Sequence, residues 1–280
     1  MIRALRFALL SALLAAASGA ALQVDCSRTV PEGEPFLVTI TGSGSGEDLV
    51  LRWLDKEIRP SAETAPGGFS ATALLGVGMH ERLEADSYTL EVETGGETLR
   101  HLVLREAKNY PEQHLTVESK YSELSAETLE RHRLEKAATR KALATISEGR
   151  HWSLPLSRPV AGEMTSDFGL RRFFNGEPKN PHSGVDLRAA LGDSVLACAD
   201  GRVILTGEHY FAGGSVYLDH GEGVVSMVFH LSEILVEEGR LLRRGDLLGR
   251  AGSTGRVTGP HCHWGLSLQG QLVDPLLLAD

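Results

Sequence analysis

Residues 255–266 read GRVTGPHCHWGL, with His261 and His263 flanking a single cysteine, Cys262. In an extended chain alternate side chains share a face, so a strand here sets two imidazoles side by side. Upstream, PHSGVD places His182 four residues before Asp186, and MVFHL ends an apolar run on His230. Imidazole and carboxylate are ligands that zinc takes at catalytic centres, three from the protein with the fourth position left open. His182, Asp186 and one of the two strand histidines make such a set. Zinc lowers the pKa of a bound water from about 15.7 to about 7, which yields a nucleophile near neutral pH. His230 and the other strand histidine are then left for the rest of a hydrolysis. One group must take a proton from water, and one must hold negative charge on the attacked oxygen. No H-E-x-x-H is present, so the glutamate-on-a-helix solution is absent.

Taken singly, each of these residues has a purely structural use: a loop histidine, a turn carboxylate, a polar strand face. Their grouping beside Gly and Pro turns is what favours one shared site. His209 and His220 stay outside it, because LDHGEG reads as a hairpin turn in which Asp219 and His220 need no function. His132 reads as a surface side chain.

The elements that must position these groups are β-strands. From Trp152 onward short apolar runs alternate with Gly and Asp turns, as in SVLACADGRVILTG, GVVSMVFHL and HCHWGLSL, which leaves little room for helices. Residues 21–107 show the same habit in PFLVTI, LVLRWL, FSATALLGV, YTLEVE and ETLRHLVLRE, the pattern of a small immunoglobulin-like β-sandwich with Phe36 and Trp53 in its core. GSGSG between the first two runs lacks the Lys-Ser/Thr of a phosphate loop and reads as a turn. Between them, residues 108–150 form a helical connector. Its helix is expected over roughly Ser125 to Ile146, with Ser125 as N-cap, Glu127 in the first turn, and Arg140 and Lys141 near the far end. The fold class is therefore mainly β: a sandwich, a helical connector, and an antiparallel-sheet domain over residues 151–280.

The chain has 280 residues, 42% of them hydrophobic and 23% charged, with 28 basic against 37 acidic side chains and a formal net charge of −9. That balance does not provide the basic surface of a nucleic-acid binder. Residues 1–20 stand apart, with Arg3 and Arg6 ahead of an apolar run from Phe7 to Ala17 and then Ser18-Gly19-Ala20. This is the layout of a secretory signal peptide, cleaved after Ala20 or Ala21, and the run is short for a bilayer span. An exported, periplasmic or extracellular protein with no stable membrane span is expected. Three cysteines follow the leader (Cys26, Cys198 and Cys262), an odd number, and Cys198 with Cys262 is the one intramolecular pair to consider.

The segments SDFGLRRFFNGEPKNPHSGVDLRAALGDSVLACADGRVILTG and VFHLSEILVEEGRLLRRGDLLGRAGSTGRVTGPHCHWGLSLQGQLVDP resemble the catalytic domain of the LytM/lysostaphin-type zinc endopeptidases over about Trp152 to Pro275. The resemblance implies an antiparallel β-sheet with a narrow groove and one Zn2+ held by His182, Asp186 and His263. It implies His230 and His261 as the two catalytic histidines that are not ligands. It also implies hydrolysis of peptide cross-links in bacterial peptidoglycan, with the stem peptides as the binding partner. A D-alanyl to diaminopimelate bond is preferred over a glycine bridge. The alternative on the same fold is a non-catalytic wall-binding or amidase-activating protein, although relatives of that kind have typically lost ligands. Two departures stand out: Cys262 replaces a larger apolar residue, and Val228 occupies a place commonly held by an aromatic. Cys262 points away from the metal face, so a packing role is expected. A cover over the groove by the N-terminal half is a further possibility.

Overall fold

The computed structural model describes residues 21–79, 85–116 and 125–280; the leader assigned to residues 1–20 lies outside them. Alternation of apolar and polar side chains builds the first layer. One sheet runs in the order β1 (Gln23–Cys26), β3 (Glu34–Gly42), β7 (Gly68–Val77), β6 (Ala62–Ala65). The second runs β2 (Thr29–Pro31), β9 (Glu97–Glu106), β8 (Ser87–Thr94), β4 (Val50–Trp53), β5 (Lys56–Ile58). Phe36, Val38 and Ile40 of β3 meet Leu51 and Trp53 of β4, Leu90 and Val92 of β8 and Val103 of β9 in one buried cluster. The strand order is that of the ABED and GFC sheets of an immunoglobulin fold, with buried Trp53 in the place of the strand-C tryptophan. Phe36 packs edge-on against it at 5.3 Å. The β8–β9 hairpin turns through Gly95 and Gly96, both at positive φ, as a two-residue turn requires.

The connector contributes a strand as well as a helix. β10 (Glu112–Leu115) pairs in parallel with β12 (Arg171–Phe174), which pairs in turn with β13 (Glu177–Pro178). Helix α1 spans Ala126–Leu143, and the Ser125 hydroxyl accepts from the Thr128 N–H as its cap. The strand was not expected from the sequence, since EQHL carries no alternation and is exposed along its length.

The large C-terminal sheet has the order β11 (Met164–Ser166), β14 (Val185–Leu187), β22 (Cys262–Leu268), β18 (Val224–Leu231), β17 (Gly213–Asp219), β16 (Gly201–His209), β20 (Leu241–Leu242), with β23 (Gln271–Val273) added on β22. All of these pairings are antiparallel. A smaller sheet, β15 (Ser194–Leu196), β21 (Leu247–Arg250), β19 (Glu233–Ile234), packs with it. Cys262, Trp264, Leu266 and Leu268 of β22 enter the main core, while His263 and Ser267 turn to the opposite face. On that face α1 covers Tyr217, Val225 and Met227 at one end, and Ser267 donates to the Leu143 carbonyl (3.4 Å). The other end of the same face carries the histidines.

The sandwich is seated on this sheet. Leu74 of β7 joins the main core, the Asp274 N–H donates to Gly33 O (2.8 Å), and Gln269 Nε2 donates to Leu74 O (3.1 Å). No helix among the described residues is long and apolar enough to cross a membrane.

Candidate metal centre

β14 and β22 are paired so that Asp186 stands opposite His263. The neighbours of Asp186 in β14, Val185 and Leu187, are fully buried in the core, so alternation aims its carboxylate at the opposite face. His182 enters from the loop before β14. Three donor atoms converge: His182 Nε2 is 3.0 Å from Asp186 Oδ1 and 3.0 Å from His263 Nδ1, and His263 Nδ1 is 3.0 Å from Asp186 Oδ1. Gly184 makes this approach possible. A Cβ there would lie 2.3 Å from Trp264 O and 2.8 Å from His263 Nε2.

The protons decide what these contacts are. His182 Nδ1 lies 2.7 Å from Asp167 O, an acceptor with no hydrogen to give, so Nδ1 carries the hydrogen and Nε2 a lone pair. A neutral His182 therefore has nothing to donate to the carboxylate or to His263. The lone pair of His182 and the carboxylate face each other, and with His263 Nδ1 beside them the three atoms are placed as a cation's ligands would be. The set is two nitrogens and one oxygen, the mixture zinc accepts, and a tetrahedron with ~2.0–2.1 Å bonds has edges near 3.3 Å. The observed edges are slightly shorter, so the residues fit such an ion. His182 also resembles metal-bound histidines in giving its remaining N–H to a backbone carbonyl. Burial opposes the charge on Asp186, and donation from His182 and His263, were they protonated toward it, would outweigh burial and hold the carboxyl below the usual range. Burial pushes His263 down to about 4, with repulsion from neighbouring histidines adding to it. Phe229 stacks flat on the His263 ring, centroids 5.0 Å apart and planes 2° from parallel.

His230 and His261 lie beside this triad and outside it. Their rings are 4.7 Å apart, and His261 Nε2 is 3.6 Å from Asp186 Oδ1. Each commits Nδ1–H to a carbonyl: His261 to Gly259 O (2.9 Å) and His230 to Thr254 O (3.0 Å). Each is therefore left with Nε2 as its lone-pair nitrogen. Burial, then repulsion from His263 and His261, pushes His230 down to about 4.

His230 is not on the face that simple alternation predicts. Val224 and Val228 of β18 point into the main core and Val225 and Met227 to the opposite side, so residue 230 would point into the core. The register with β17 shifts from Val216↔Val228 to Gly214↔Leu231, placing Phe229 and His230 together opposite Ser215. His230 takes up the extra residue with φ at +65°, a left-handed conformation that costs a non-glycine residue about 1–3 kcal/mol. This bulge turns the imidazole back toward His261 and His263. Only the chemistry of the side chain, not its strand position, pointed to it in the sequence.

The remaining candidates fall elsewhere. Cys262 is buried among core side chains, and burial pushes its thiol up to about 12. All three cysteines are free, so Cys198 and Cys262 do not pair. His220 is fully buried rather than a bare turn residue: Nδ1 donates to Asp200 O (2.6 Å), and Nε2 meets Ser226 Oγ (2.7 Å) and Cys198 Sγ (3.7 Å). These contacts hold the β16–β17–β18 turns together. His132 is half-buried, edge-on to Phe211 at 4.7 Å, and so is not a free surface side chain.

Comparison with known proteins adds relatives. The model of peptidase family M23 matches residues 180–275. The peptidoglycan DD-endopeptidase ShyA of Vibrio cholerae is 41% identical over 114 residues, 40% of this chain and 26% of that protein. The peptidoglycan DD-endopeptidase ShyB of the same organism is 27% identical over 194 residues, 69% of this chain and 41% of that protein. The chain thus spans less than half the length of these curated relatives. A crystal structure from Pseudomonas aeruginosa assigned to peptidase M23 aligns with a TM-score of 0.65 and 31% identity, covering 82% of this chain and 86% of that one.

Proposed function

This chain belongs to peptidase family M23, and from that premise we propose that it is an exported, zinc-dependent endopeptidase that cuts peptide cross-links of bacterial peptidoglycan. The observation that carries the proposal is the convergence of His182 Nε2, Asp186 Oδ1 and His263 Nδ1 at 3.0 Å, with the His182 nitrogen left as a lone pair facing the carboxylate. The similarity to proteins named peptidoglycan DD-endopeptidases supports the substrate, and a D-alanyl to diaminopimelate bond is the one taken in this reading. The leader pattern in residues 1–20 supports export to the periplasm or cell envelope. In this reading residues 21–107 are an immunoglobulin-like module, 108–150 the connector and 151–280 the peptidase domain.

The division of labour follows from the hydrogen bonds. His182, Asp186 and His263 would hold the ion, which when bound would supply polarisation of the scissile carbonyl and acidification of water. His230 and His261 have Nδ1–H committed to carbonyls, so both rings are fixed and present Nε2. Burial keeps His230 neutral at physiological pH, with a lone pair able to take a proton from the attacking water. A histidine protonated in this way becomes a donor. It can then stabilise the carbonyl oxygen as negative charge gathers, or return the proton to the leaving amine. The two residues share these tasks.

The test is digestion of purified sacculi by the leader-free protein, with the released fragments identified by mass. Cross-linked dimers resolved into monomers, loss of activity with a chelator and recovery with zinc are expected. No cleavage by protein carrying one zinc per chain would instead favour a non-catalytic wall-binding role.

A further inference from the structure

The stripe of α1 that faces the sheet is polar along most of its length. Thr128, His132, Glu135 and Thr139 are half-buried positions spaced three and four apart, and apolar packing, by Ala142 and Leu143 on Tyr217, Val225 and Met227, is confined to the C-terminal end. Over the stretch from Thr128 to Thr139 the contacts that dock the helix are directional. They gather on the hairpin joining β16 to β17. Glu135 Oε2 accepts the Tyr210 N–H (2.9 Å), Arg131 donates to Glu208 O (2.7 Å), and His132 packs edge-on against Phe211. Arg131 in turn donates from Nε to Glu135 Oε1 (2.7 Å), which fixes the carboxylate that holds Tyr210.

The same hairpin holds the bulged histidine. Ala212 O accepts the His230 N–H (2.8 Å), and Phe211 O accepts the Arg256 N–H (3.0 Å) from the loop whose Thr254 carbonyl binds His230 Nδ1. Both hydrogen bonds that fix His230, one at its backbone and one at its ring, thus depend on the placement of residues 210–213. A left-handed φ at a non-glycine residue persists only where its surroundings over-determine it.

We propose that Glu135 of α1 is a positioning residue for His230, and that the connector helix braces the 208–213 hairpin in the geometry that keeps the bulged histidine aimed at the site. The helix then supports turnover rather than obstructing it. This kinetic consequence rests on the peptidase reading; the brace itself does not.

Two measurements on the leader-free full chain test it. In zinc-free protein, Glu135→Ala should raise amide exchange in peptides covering 208–214 and 228–231 by about tenfold or more, leaving β14 and β22 unchanged. In the zinc-loaded protein the same change should lower kcat about tenfold with KM within about twofold, since a displaced proton-transfer group affects the chemical step. Glu135→Gln keeps an oxygen that can accept from Tyr210 and should recover activity to within about threefold of wild type. Lys136→Ala, on the exposed side of α1, is the control for helix propensity. If Glu135→Ala destabilises the whole domain, Arg131→Ala provides the gentler perturbation of the same hairpin and should move the same peptides. Unchanged exchange in 208–214 and 228–231 overturns the brace, and faster hydrolysis by Glu135→Ala would show a cover instead. A wild-type protein without hydrolytic activity would count against the peptidase reading alone, because the exchange measurement still decides the brace.

Discussion

Asp186 and His263 face each other across paired antiparallel strands, with Oδ1 3.0 Å from Nδ1. Since the strands are hydrogen-bonded in register, the carboxylate and imidazole are placed by backbone pairing rather than by loop conformation. Only His182, brought in by a loop, completes the set.

Removal of the carboxylate tests the rigid pair. Asp186→Asn keeps the shape but removes the charge and one electron-pair donor, so zinc affinity should fall by far more than about tenfold and peptidoglycan release should cease. Metal content after dialysis against a weak chelator, measured beside wild type, checks this. Retention of full zinc occupancy would contradict the ligand assignment.

The neighbouring histidines predict a different phenotype. His230→Ala and His261→Ala should each keep one zinc per chain while losing about 10²–10⁴ in kcat, the usual worth of a positioned acid or base. A parallel assay of metal content and cleavage separates them from ligand variants. Full activity in a zinc-bound His261→Ala would remove that residue from the mechanism.

Two glycines near the site should behave oppositely. Gly184→Ala places a Cβ 2.3 Å from Trp264 O, so backbone must shift beneath His263. A loss of about 2 kcal/mol or more and weakened zinc binding are expected. Gly259→Ala meets nothing within 4 Å and its φ is not in the left-handed region, so stability should stay within about 0.5 kcal/mol of wild type. Thermal unfolding of the two variants gives the comparison.

Acid should weaken the metal-free protein through its buried histidines. His230 sits near pKa 4 when folded, against about 6.5 when unfolded, so between those values the unfolded chain binds more protons. Stability is therefore highest above about pH 6.5 and declines as pH falls toward 4, by up to about 3 kcal/mol from this residue. His263 titrates in the same direction and shares the effect. Urea unfolding across that range should show a shallower pH slope in His230→Gln. An identical slope would mean that His230 is not held neutral by the fold.

Much of the site was legible because its logic is local. The two-residue spacing of His261 and His263 is strand periodicity, and PHSGVD holds two of the converging donors with the glycine that lets them meet. The sandwich was legible for the same reason, through alternation in PFLVTI and YTLEVE. Less visible was anything set by register or by polar docking. The bulge at His230 needs a positive φ at a residue that is not glycine, which no pattern announces. The strand at 112–115 pairs through its backbone and one ring stack, His114 on Phe173, neither of which apolar alternation announces. The inward stripe of α1 carries Thr, His and Glu, so apolar periodicity could not reveal which side faces the sheet. LDHGEG presents His220 as a turn residue, whereas the fold buries it against Asp200, Ser226 and Cys198.

The central claim is that one divalent ion sits among His182, Asp186 and His263 while His230 and His261 stay free of it. Anomalous diffraction at the zinc edge from crystals of the zinc-loaded protein tests this most directly. The account predicts a single peak bonded to His182 Nε2, Asp186 Oδ1 and His263 Nδ1. A peak bonded to His230 or His261, or no peak at this cluster in protein that contains zinc, would contradict it.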